Sequence, residues 1–156
     1  MGVEVERKFL VEGSGWGPGK GGVLQRQGYL SVTDRGTVRV RIEGERATLT
    51  IKGPQQGISR AEYEYRIPLA EAEEMLATLC AVVVEKTRYS RHYGNHLWEI
   101  DVFHGPNEGL VTAEVELANA EEPFALPPWV GRDVSHDPRY RVAHIAAHPF
   151  RTWPRR

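Results

Sequence analysis

Hydrophobic and polar residues alternate with a period of two over most of the chain, which is typical of β-strands with two unlike faces. The alternation predicts eight strands, at 3–11, 25–32, 37–43, 47–52, 60–67, 83–90, 97–103 and 111–117. Turn-forming pairs such as Gly53-Pro54 and Gly94-Asn95 separate several of them. Because long helical crossovers are missing between most neighbours, antiparallel pairing is favoured.

Helical patterns are scarce. Pro68 precedes a segment at 70–81 in which Ala72, Met75, Leu76 and Leu79 form an apolar face. A second, shorter helix is predicted after Pro138, and it ends before position 149. The segment 119–128 contains three prolines, which limit any helix there to a turn or two.

The polar positions of the predicted strands carry an unusual number of charges. One face of the sheet would hold eight cations and nine acids, 17 of the 41 charged residues in the chain. The charged positions are Glu4, Glu6, Lys8, Arg39, Arg41, Glu43, Lys52, Arg60, Glu62, Glu64, Arg66, Lys86, Arg88, Glu99, Asp101, Glu114 and Glu116. Like charges recur two residues apart, where same-face neighbours are only about 7 Å from each other. A solvated face is the ordinary interpretation, but this crowding indicates that counter-charges or a ligand lie between the side chains.

Eight strands are enough to close a sheet on itself. We therefore predict a mainly β (α+β) fold, an eight-stranded antiparallel closed β-barrel that forms a tunnel with a charged interior. The helix at 70–81 and the C-terminal segment are the expected covers of its apolar outside. Buried charges are costly unless paired or bound to ions, so the interior predicts a charged cargo. Carboxylates suit Mg²⁺ or Mn²⁺, and Arg and Lys suit phosphoryl oxygens, which together indicate a metal-complexed polyphosphate.

Composition narrows the function classes further. The formal net charge is −1, which gives no reason to expect a nucleic-acid binder. A lone cysteine, Cys80, excludes an intramolecular disulfide, and its apolar neighbours predict a buried, inert thiol. The charged N-terminus lacks a signal peptide, no segment is apolar enough for a membrane span, and a cytoplasmic location is expected. Six glycines between Gly13 and Gly22 predict a mobile loop, whose spacing does not fit a phosphate-binding P-loop.

A Glu-x-Glu-x-Lys motif stands near the N-terminus, at residues 4–8. It is followed in order by RQGYL (26–30), VRVRI (38–42), LTIKG (49–53), SRAEYEY (59–65), VEKTRY (84–89), WEIDVF (98–103), AEVEL (113–117) and HDPRYR (136–141). This series resembles the CYTH superfamily, or triphosphate tunnel metalloenzymes, and within it the short, single-domain bacterial type similar to inorganic triphosphatases. The resemblance covers almost the whole chain and implies one domain over residues 1–156.

The resemblance also implies an activity and a set of site residues. The activity is Mg²⁺- or Mn²⁺-dependent hydrolysis of inorganic triphosphate to pyrophosphate and phosphate in the tunnel. The implied metal ligands are Glu4, Glu6, Glu114 and Glu116, with Glu62, Glu64 or Asp101 as further candidates. The implied phosphate contacts are Lys8, Arg39, Arg41, Lys52, Arg60 and Arg88. A catalytic pair near the attacking water is implied for Lys86 and Tyr29.

Several alternatives stay open at the level of sequence. Family members usually carry an asparagine where this chain has Val142, which affects the C-terminal end of the tunnel. His144 and His148 are four residues apart, a spacing that suits either an exposed helical face or a metal. The substrate alternatives are a nucleoside or thiamine triphosphate, and a class IV-type adenylate cyclase would form cyclic AMP. A non-catalytic polyphosphate-binding module is the competing class, and the expected partners are a small triphosphate and, in a homodimer, a second copy of the chain.

Overall fold

The computed structural model describes residues 2–154 and contains nine strands, two α-helices and three short 3₁₀ turns in that range. The strands are β1 (Gly2–Val11), β2 (Val23–Thr33), β3 (Gly36–Glu43), β4 (Arg46–Lys52), β5 (Ser59–Ile67), β6 (Val83–Tyr93), β7 (His96–Phe103), β8 (Val111–Glu116) and β9 (Val130–Asp133). The helices are α1 (Leu69–Thr78) and α2 (Val142–Ala147), and the 3₁₀ turns are Gly105–Asn107, Pro138–Tyr140 and Phe150–Thr152. All eight predicted strands are present.

The strands form one antiparallel sheet that closes into a ring. Their order is β5-β4-β3-β2-β6-β7-β8-β1-β9, and an additional pairing of β5 with β1 joins the two sides. The closing pairing is short and runs from Gly2 opposite Glu62 to Val5 opposite Ser59. The ring of eight strands confirms the predicted closed tunnel, and β9 is a ninth strand beside β1.

The apolar outer faces of the strands are covered in two places. Helix α1 packs Ala72 and Leu76 against Val40 and Ile42 of β3. On the other side Trp98 is fully buried in a cluster of aromatic rings, which also contains Phe9, Phe124 and Trp129. This second cover comes from the segment between β8 and β9. The sequence pattern did not assign that segment to the outside of the barrel.

The C-terminal segment does not cover the outside of the barrel, which corrects the prediction. At one end of the tunnel, the inward-pointing positions of β1, β6 and β7 are apolar, namely Leu10, Val84 and Phe103. They pack with Tyr140 and Ile145 of the C-terminal segment in a buried cluster. The segment therefore closes part of one end of the tunnel, because apolar residues of the inner face need an apolar partner there.

The glycine-rich loop is also packed, although its composition predicts mobility. Trp16 is buried against Tyr89 with ring centroids 5.0 Å apart. The guanidinium group of Arg91 donates hydrogen bonds of 2.6–3.0 Å to the carbonyl oxygens of Trp16, Gly17 and Lys20. One arginine therefore holds three points of the loop.

One smaller boundary differs from the pattern. Helix α1 ends at Thr78, and the chain then turns so that Cys80 lies directly over Gly28 of β2. A Cβ atom on Gly28 would lie 2.8 Å from Cys80 Sγ, which explains why glycine stands there. Cys80 is half-buried, and burial raises the pKa of its thiol.

Within the described chain, no helix has both the length and the apolar composition to span a membrane.

Candidate active site

The inner face of the ring surrounds a cavity of about 900 Å³. Its ionisable wall consists mainly of Glu4, Glu6, Lys8, Tyr29, Arg39, Arg41, Lys52, Arg60, Glu62, Glu64, Lys86, Arg88, Glu99, Glu114 and Glu116. Every residue of the predicted site is therefore in the wall except Asp101. The alternation of each strand produces this arrangement, because successive side chains of a strand point to opposite faces.

Asp101 lies behind the wall and organises the deepest charges. Its carboxylate accepts a hydrogen bond of 2.8 Å from Lys86 Nζ, and both side chains are only 1% exposed. Arg88 donates to both oxygens of the same carboxylate, through Nε at 2.8 Å and Nη2 at 2.9 Å. Arg88 Nη2 also reaches Glu114 Oε1 at 3.2 Å. Lys86 and Arg88 engage both Asp101 oxygens, so the carboxylate holds these two cations in place. The metal role that the resemblance implies for Asp101 stays a prediction.

The ionisation of this group follows from burial and from its neighbours. Burial lowers the pKa of Lys86 to about 7. The negative charge of Asp101 opposes this shift, whereas the positive charges of Arg88 and Arg41 add to it. Burial alone would raise the pKa of Asp101, but Lys86 and Arg88 outweigh it and hold the pKa well below its usual range. Lys86 is therefore a lysine whose proton is held less tightly than usual.

Three carboxylates from β1 and β8 crowd together on another part of the wall. Burial, followed by the negative charges of Glu114 and Glu4, raises the pKa of Glu6 to about 8. The other two have cationic partners, since Glu114 lies 3.3 Å from Lys8 Nζ and Glu4 lies 3.0 Å from Lys52 Nζ. The cations near Glu6 thus only partly offset the negative charges beside it, so Glu6 retains a proton at neutral pH.

This carboxylate group fits a hard divalent cation. Mg²⁺ is usually held by one or two carboxylates together with waters and substrate phosphates, so it needs no complete cage of protein ligands. No group of three or more His, Cys, Asp or Glu side chains within residues 2–154 is close enough to hold a metal ion by itself. The donor set is therefore suited to a cation that is shared with a phosphate-bearing ligand.

A group of guanidinium ions faces these carboxylates. Arg39 donates to Thr50 Oγ1 at 3.1 Å, and its buried Nε has no hydrogen-bond partner within the described chain. Arg41 donates to Gln27 Oε1 at 2.9 Å. Burial and the neighbouring charges of Arg39 and Arg88 lower the pKa of Arg41 to about 10. Cations that crowd one another in this way create a site for an anion.

The C-terminal segment adds a further cation, Arg141, that the sequence argument missed. Arg141 lines the cavity. Burial of Arg60 is the main cause of its lowered pKa, and the positive charge of Arg141 lowers that pKa further. The Arg60 guanidinium donates to the Gly53 carbonyl oxygen at 2.7 and 3.0 Å. His144 and His148 also line the cavity and stack on each other with ring centroids 4.3 Å apart. The only signal in the sequence for Arg141 is its place after the DPRY motif.

Tyr29 and Lys86 both line the cavity, from β2 and β6, which are neighbours in the ring. No hydrogen bond joins Tyr29 to Lys86 within residues 2–154. The structure thus brings both predicted catalytic residues to one cavity.

The two ends of the cavity have different linings. The end formed by α2 and the β2–β3 hairpin contains Arg60 and Arg141. A smaller opening of about 270 Å³ lies at the other end, and its lining carries both signs of charge, with Arg41, Arg46 and Arg88 beside Glu43, Glu64 and Glu99. Burial and the charges of three other glutamates raise the pKa of Glu116.

These features define a class of protein, a closed antiparallel β-tunnel in which guanidinium groups and carboxylates face each other across one cavity. The model of the CYTH domain matches residues 2–143. The chain belongs to the CYTH domain family, as the sequence motifs predict.

Two curated relatives match over nearly their full length. An inorganic triphosphatase of Acetivibrio thermocellus is 45% identical over 154 residues, which is 98% of this chain and 99% of the relative. An inorganic triphosphatase of Nitrosomonas europaea is 39% identical over 148 residues, 92% of this chain and 97% of the relative.

Solved structures share the fold. The crystal structure of the inorganic triphosphatase NE1496 has a TM-score of 0.65 and 37% identity, and the match covers 91% of this chain and 96% of that one. A putative adenylate cyclase from Bacillus halodurans has a TM-score of 0.64 at 19% identity, covering 78% and 84%, and supports the fold alone.

Proposed function

We propose that this protein is a divalent-metal-dependent triphosphatase that hydrolyses inorganic triphosphate to pyrophosphate and phosphate. The observation that carries the proposal is the cavity, in which a crowded guanidinium group faces a crowded carboxylate group. A polyphosphate with a bound divalent cation has the complementary charges for both groups at once. The relatives named inorganic triphosphatase support this choice among phosphate compounds. The proposal treats residues 1–156 as one domain and, because the single Cys80 is a free thiol, places it in the cytoplasm.

The side chains of the wall would bind and orient the substrate. Phosphoryl transfer requires mainly positioning and charge neutralisation from a protein. The proposed phosphate contacts are Lys8, Arg39, Arg41, Lys52, Arg60 and Arg88, together with Arg141. Most of these cations already have fixed partners, so they would be held in place before the substrate arrives.

The metal would be Mg²⁺ or Mn²⁺, held at the carboxylate group. The proposed ligands are Glu4, Glu6, Glu114 and Glu116, with Glu62 and Glu64 on the adjoining wall. When bound, the ion would neutralise phosphate charge and act as a Lewis acid on a phosphoryl oxygen. With the ion held at this group, its positive charge would also offset the repulsion from Glu114 and Glu4 that contributes to the raised pKa of Glu6.

Lys86 is the proposed proton acceptor for the attacking water, and Tyr29 is the proposed second catalytic group on the neighbouring strand. The water oxygen forms a bond to the terminal phosphorus, and the bond from that phosphorus to the bridging oxygen breaks. The electron pair of the broken bond stays on pyrophosphate, and the water gives up one proton. A lysine with a pKa of about 7 has a substantial neutral fraction near neutral pH, which is the form that accepts this proton.

A substrate panel tests the proposal. We expect the purified protein to release phosphate from inorganic triphosphate in Mg²⁺ or Mn²⁺, with lower rates for ATP and thiamine triphosphate and none after chelation. A Lys86→Ala sample prepared identically controls for contaminating phosphatases. Cyclic AMP formed from ATP would support the cyclase instead. Saturable triphosphate binding without turnover in any metal would support a binding module and contradict the proposal.

Arg141 gives a sharper test of anion binding at the α2 end. We expect Arg141→Gln to raise KM for triphosphate roughly 3-fold to 10-fold, more at low ionic strength, while kcat changes little. The reason is that the substitution removes a cavity-facing cation beside Arg60 without touching the Asp101 group. Arg139→Gln is the matched control, because Arg139 is paired with Asp137 and is not part of the cavity wall. Equal effects of the two substitutions would remove Arg141 from substrate binding.

A further inference from the structure

Gln25 is a buried polar side chain next to Lys86, and it belongs to neither the phosphate contacts nor the metal ligands. Only 2% of it is exposed, and it lies on the inner face of β2, where it lines the smaller opening. In the sheet it stands directly opposite Lys86 of β6 on one side and Glu43 of β3 on the other. Directly opposite residues of antiparallel strands project to the same face, with Cβ atoms about 4.5–5.5 Å apart. Gln25 is therefore the β2 neighbour of the proposed proton acceptor.

The hydrogen bond to Glu43 fixes the orientation of the Gln25 amide. Gln25 Nε2 donates to Glu43 Oε2 at 3.0 Å. A carboxylate accepts hydrogen bonds and does not donate them, so the NH2 half of the amide must be the half that faces Glu43. The other half, the carbonyl oxygen Oε1, is buried and has no hydrogen-bond partner within the described chain. Because buried polar atoms are almost always hydrogen-bonded, this oxygen is suited to a donor that the protein itself does not supply.

The surroundings of Gln25 suit a water molecule. The opening beside it has a volume of about 270 Å³ and polar walls that include Arg41, Arg88 and Ser90. A second buried atom without a hydrogen-bond partner in residues 2–154, Gln27 Nε2, lies two residues along the same face of β2. Water in protein interiors occupies sites of this kind, where it bonds to polar groups that otherwise have no partner. The smaller opening is therefore a route by which water reaches Gln25.

The direction of attack also favours this part of the wall. In phosphoryl transfer the attacking oxygen and the leaving oxygen lie roughly in line on opposite sides of the phosphorus. Arg41 and Arg88 line both the large cavity and the smaller opening, so a terminal phosphate that they bind lies where the two spaces meet. Pyrophosphate that leaves toward Arg60 and Arg141 at the α2 end then requires attack from the side of the smaller opening, where Gln25 lies.

We propose that Gln25 holds the attacking water beside Lys86, as the acceptor of a hydrogen bond that the water donates to Gln25 Oε1. This inference rests on the proposed triphosphatase function and adds a residue to it. The second O–H group of the water then points to Lys86 Nζ, which takes its proton as the bond to phosphorus forms and the bond to pyrophosphate breaks. Gln25 gains no proton, because its amide oxygen only accepts the hydrogen bond. Its contribution is the position of the water relative to the phosphorus.

Replacing Gln25 with methionine tests this role. Methionine has nearly the same length but no group that binds water strongly, so we expect Gln25→Met to lower kcat at least about 10-fold. The KM for triphosphate should change less than about 2-fold, because Gln25 is not among the proposed phosphate contacts. Thr48→Val is the matched control, since Thr48 is also buried at the smaller opening but lies on β4, which does not pair with β6. It should keep both constants within about 2-fold of the parent.

The kinetic outcomes separate this inference from the proposed function. If the parent hydrolyses triphosphate and the two variants have equal kcat, or if Gln25→Met changes KM alone, Gln25 does not hold the water and the proposed function still stands. A parent that hydrolyses no triphosphate would overturn both.

A high-resolution crystal structure of the parent protein gives a second test that needs no variant and no turnover. We expect an ordered water within about 3.2 Å of both Gln25 Oε1 and Lys86 Nζ. A direct hydrogen bond from Lys86 Nζ to Gln25 Oε1, or no water at this oxygen, would contradict the proposal.

Discussion

Replacing Glu6 with glutamine is expected to reduce triphosphate hydrolysis by at least about 100-fold and, at the same time, to stabilise the metal-free protein. The two effects have one cause. Glu6 is held among the carboxylates Glu114 and Glu4, so its charge is unfavourable without a cation and useful with one. A purely structural glutamate would not show this combination.

The stability effect has a defined dependence on pH. The pKa of Glu6 is about 8 in the folded protein and close to the ordinary value of 4.5 in the unfolded chain. Between these two values the folded state retains a proton that the unfolded state has released, so Glu6 makes the protein less stable as pH rises from about 4.5 to about 8. Glutamine removes this dependence. We expect Glu6→Gln to be at least about 1 kcal/mol more stable than the parent at pH 8, or about 2–4 °C in Tm, and nearly equal to it at pH 4.5.

Thermal unfolding in the presence of a chelator, at several pH values, measures this difference. Glu12→Gln is the control, because Glu12 is exposed outside the cavity. Added Mg²⁺ or Mn²⁺ should stabilise the parent more than Glu6→Gln, since a ligand stabilises only the state that binds it. If Glu6→Gln retained full activity or the same response to metal, Glu6 would not be a ligand.

The closed tunnel was predictable because each strand separates two different environments. One face of each strand carries charged side chains that line the cavity, and the other carries apolar side chains that pack against the covers. This difference appears in the sequence as an alternation with a period of two. Strand β9 was missed, since it has four residues and begins with Val130 and Gly131, which is too short for an alternation to appear. The cover that contains Phe124 and Trp129 was missed for a related reason, because its aromatic residues are separated by prolines and have no regular spacing.

The pattern predicted which side chains share the cavity but not which of them contact one another. That information depends on the pairing register of neighbouring strands and on the path of each side chain inside the cavity, and the alternation within a single strand specifies neither of them. Asp101 shows the difference. Its position in the alternation is the same as that of Glu99, yet it lies directly opposite Arg88 and is buried, whereas Glu99 remains in the wall. A carboxylate that the resemblance offers as a metal ligand is therefore a partner of two cations.

Lys86→Ala is expected to lower kcat by at least about 100-fold while the protein stays folded. Removing one member of a buried ion pair normally costs about 3–5 kcal/mol, because the other charge loses its partner. Here Asp101 keeps the hydrogen bonds from Arg88 to both of its oxygens, so we expect a smaller loss of stability. Steady-state kinetics and thermal unfolding of the same sample measure the two quantities. Lys86→Met, which fills more of the space, should give the same loss of kcat.

The pH profile decides whether Lys86 accepts a proton or only supplies charge. If it is a base, its active form is neutral, and kcat/KM should rise as pH increases through about 7. The bound triphosphate adds negative charge beside the ammonium group and raises its pKa, so the corresponding rise in kcat should lie at higher pH. Both rises should disappear in Lys86→Ala. If the rise in kcat/KM persists in that variant at a lower overall rate, another group receives the proton, and Lys86 acts through its positive charge, which Asp101 holds in place.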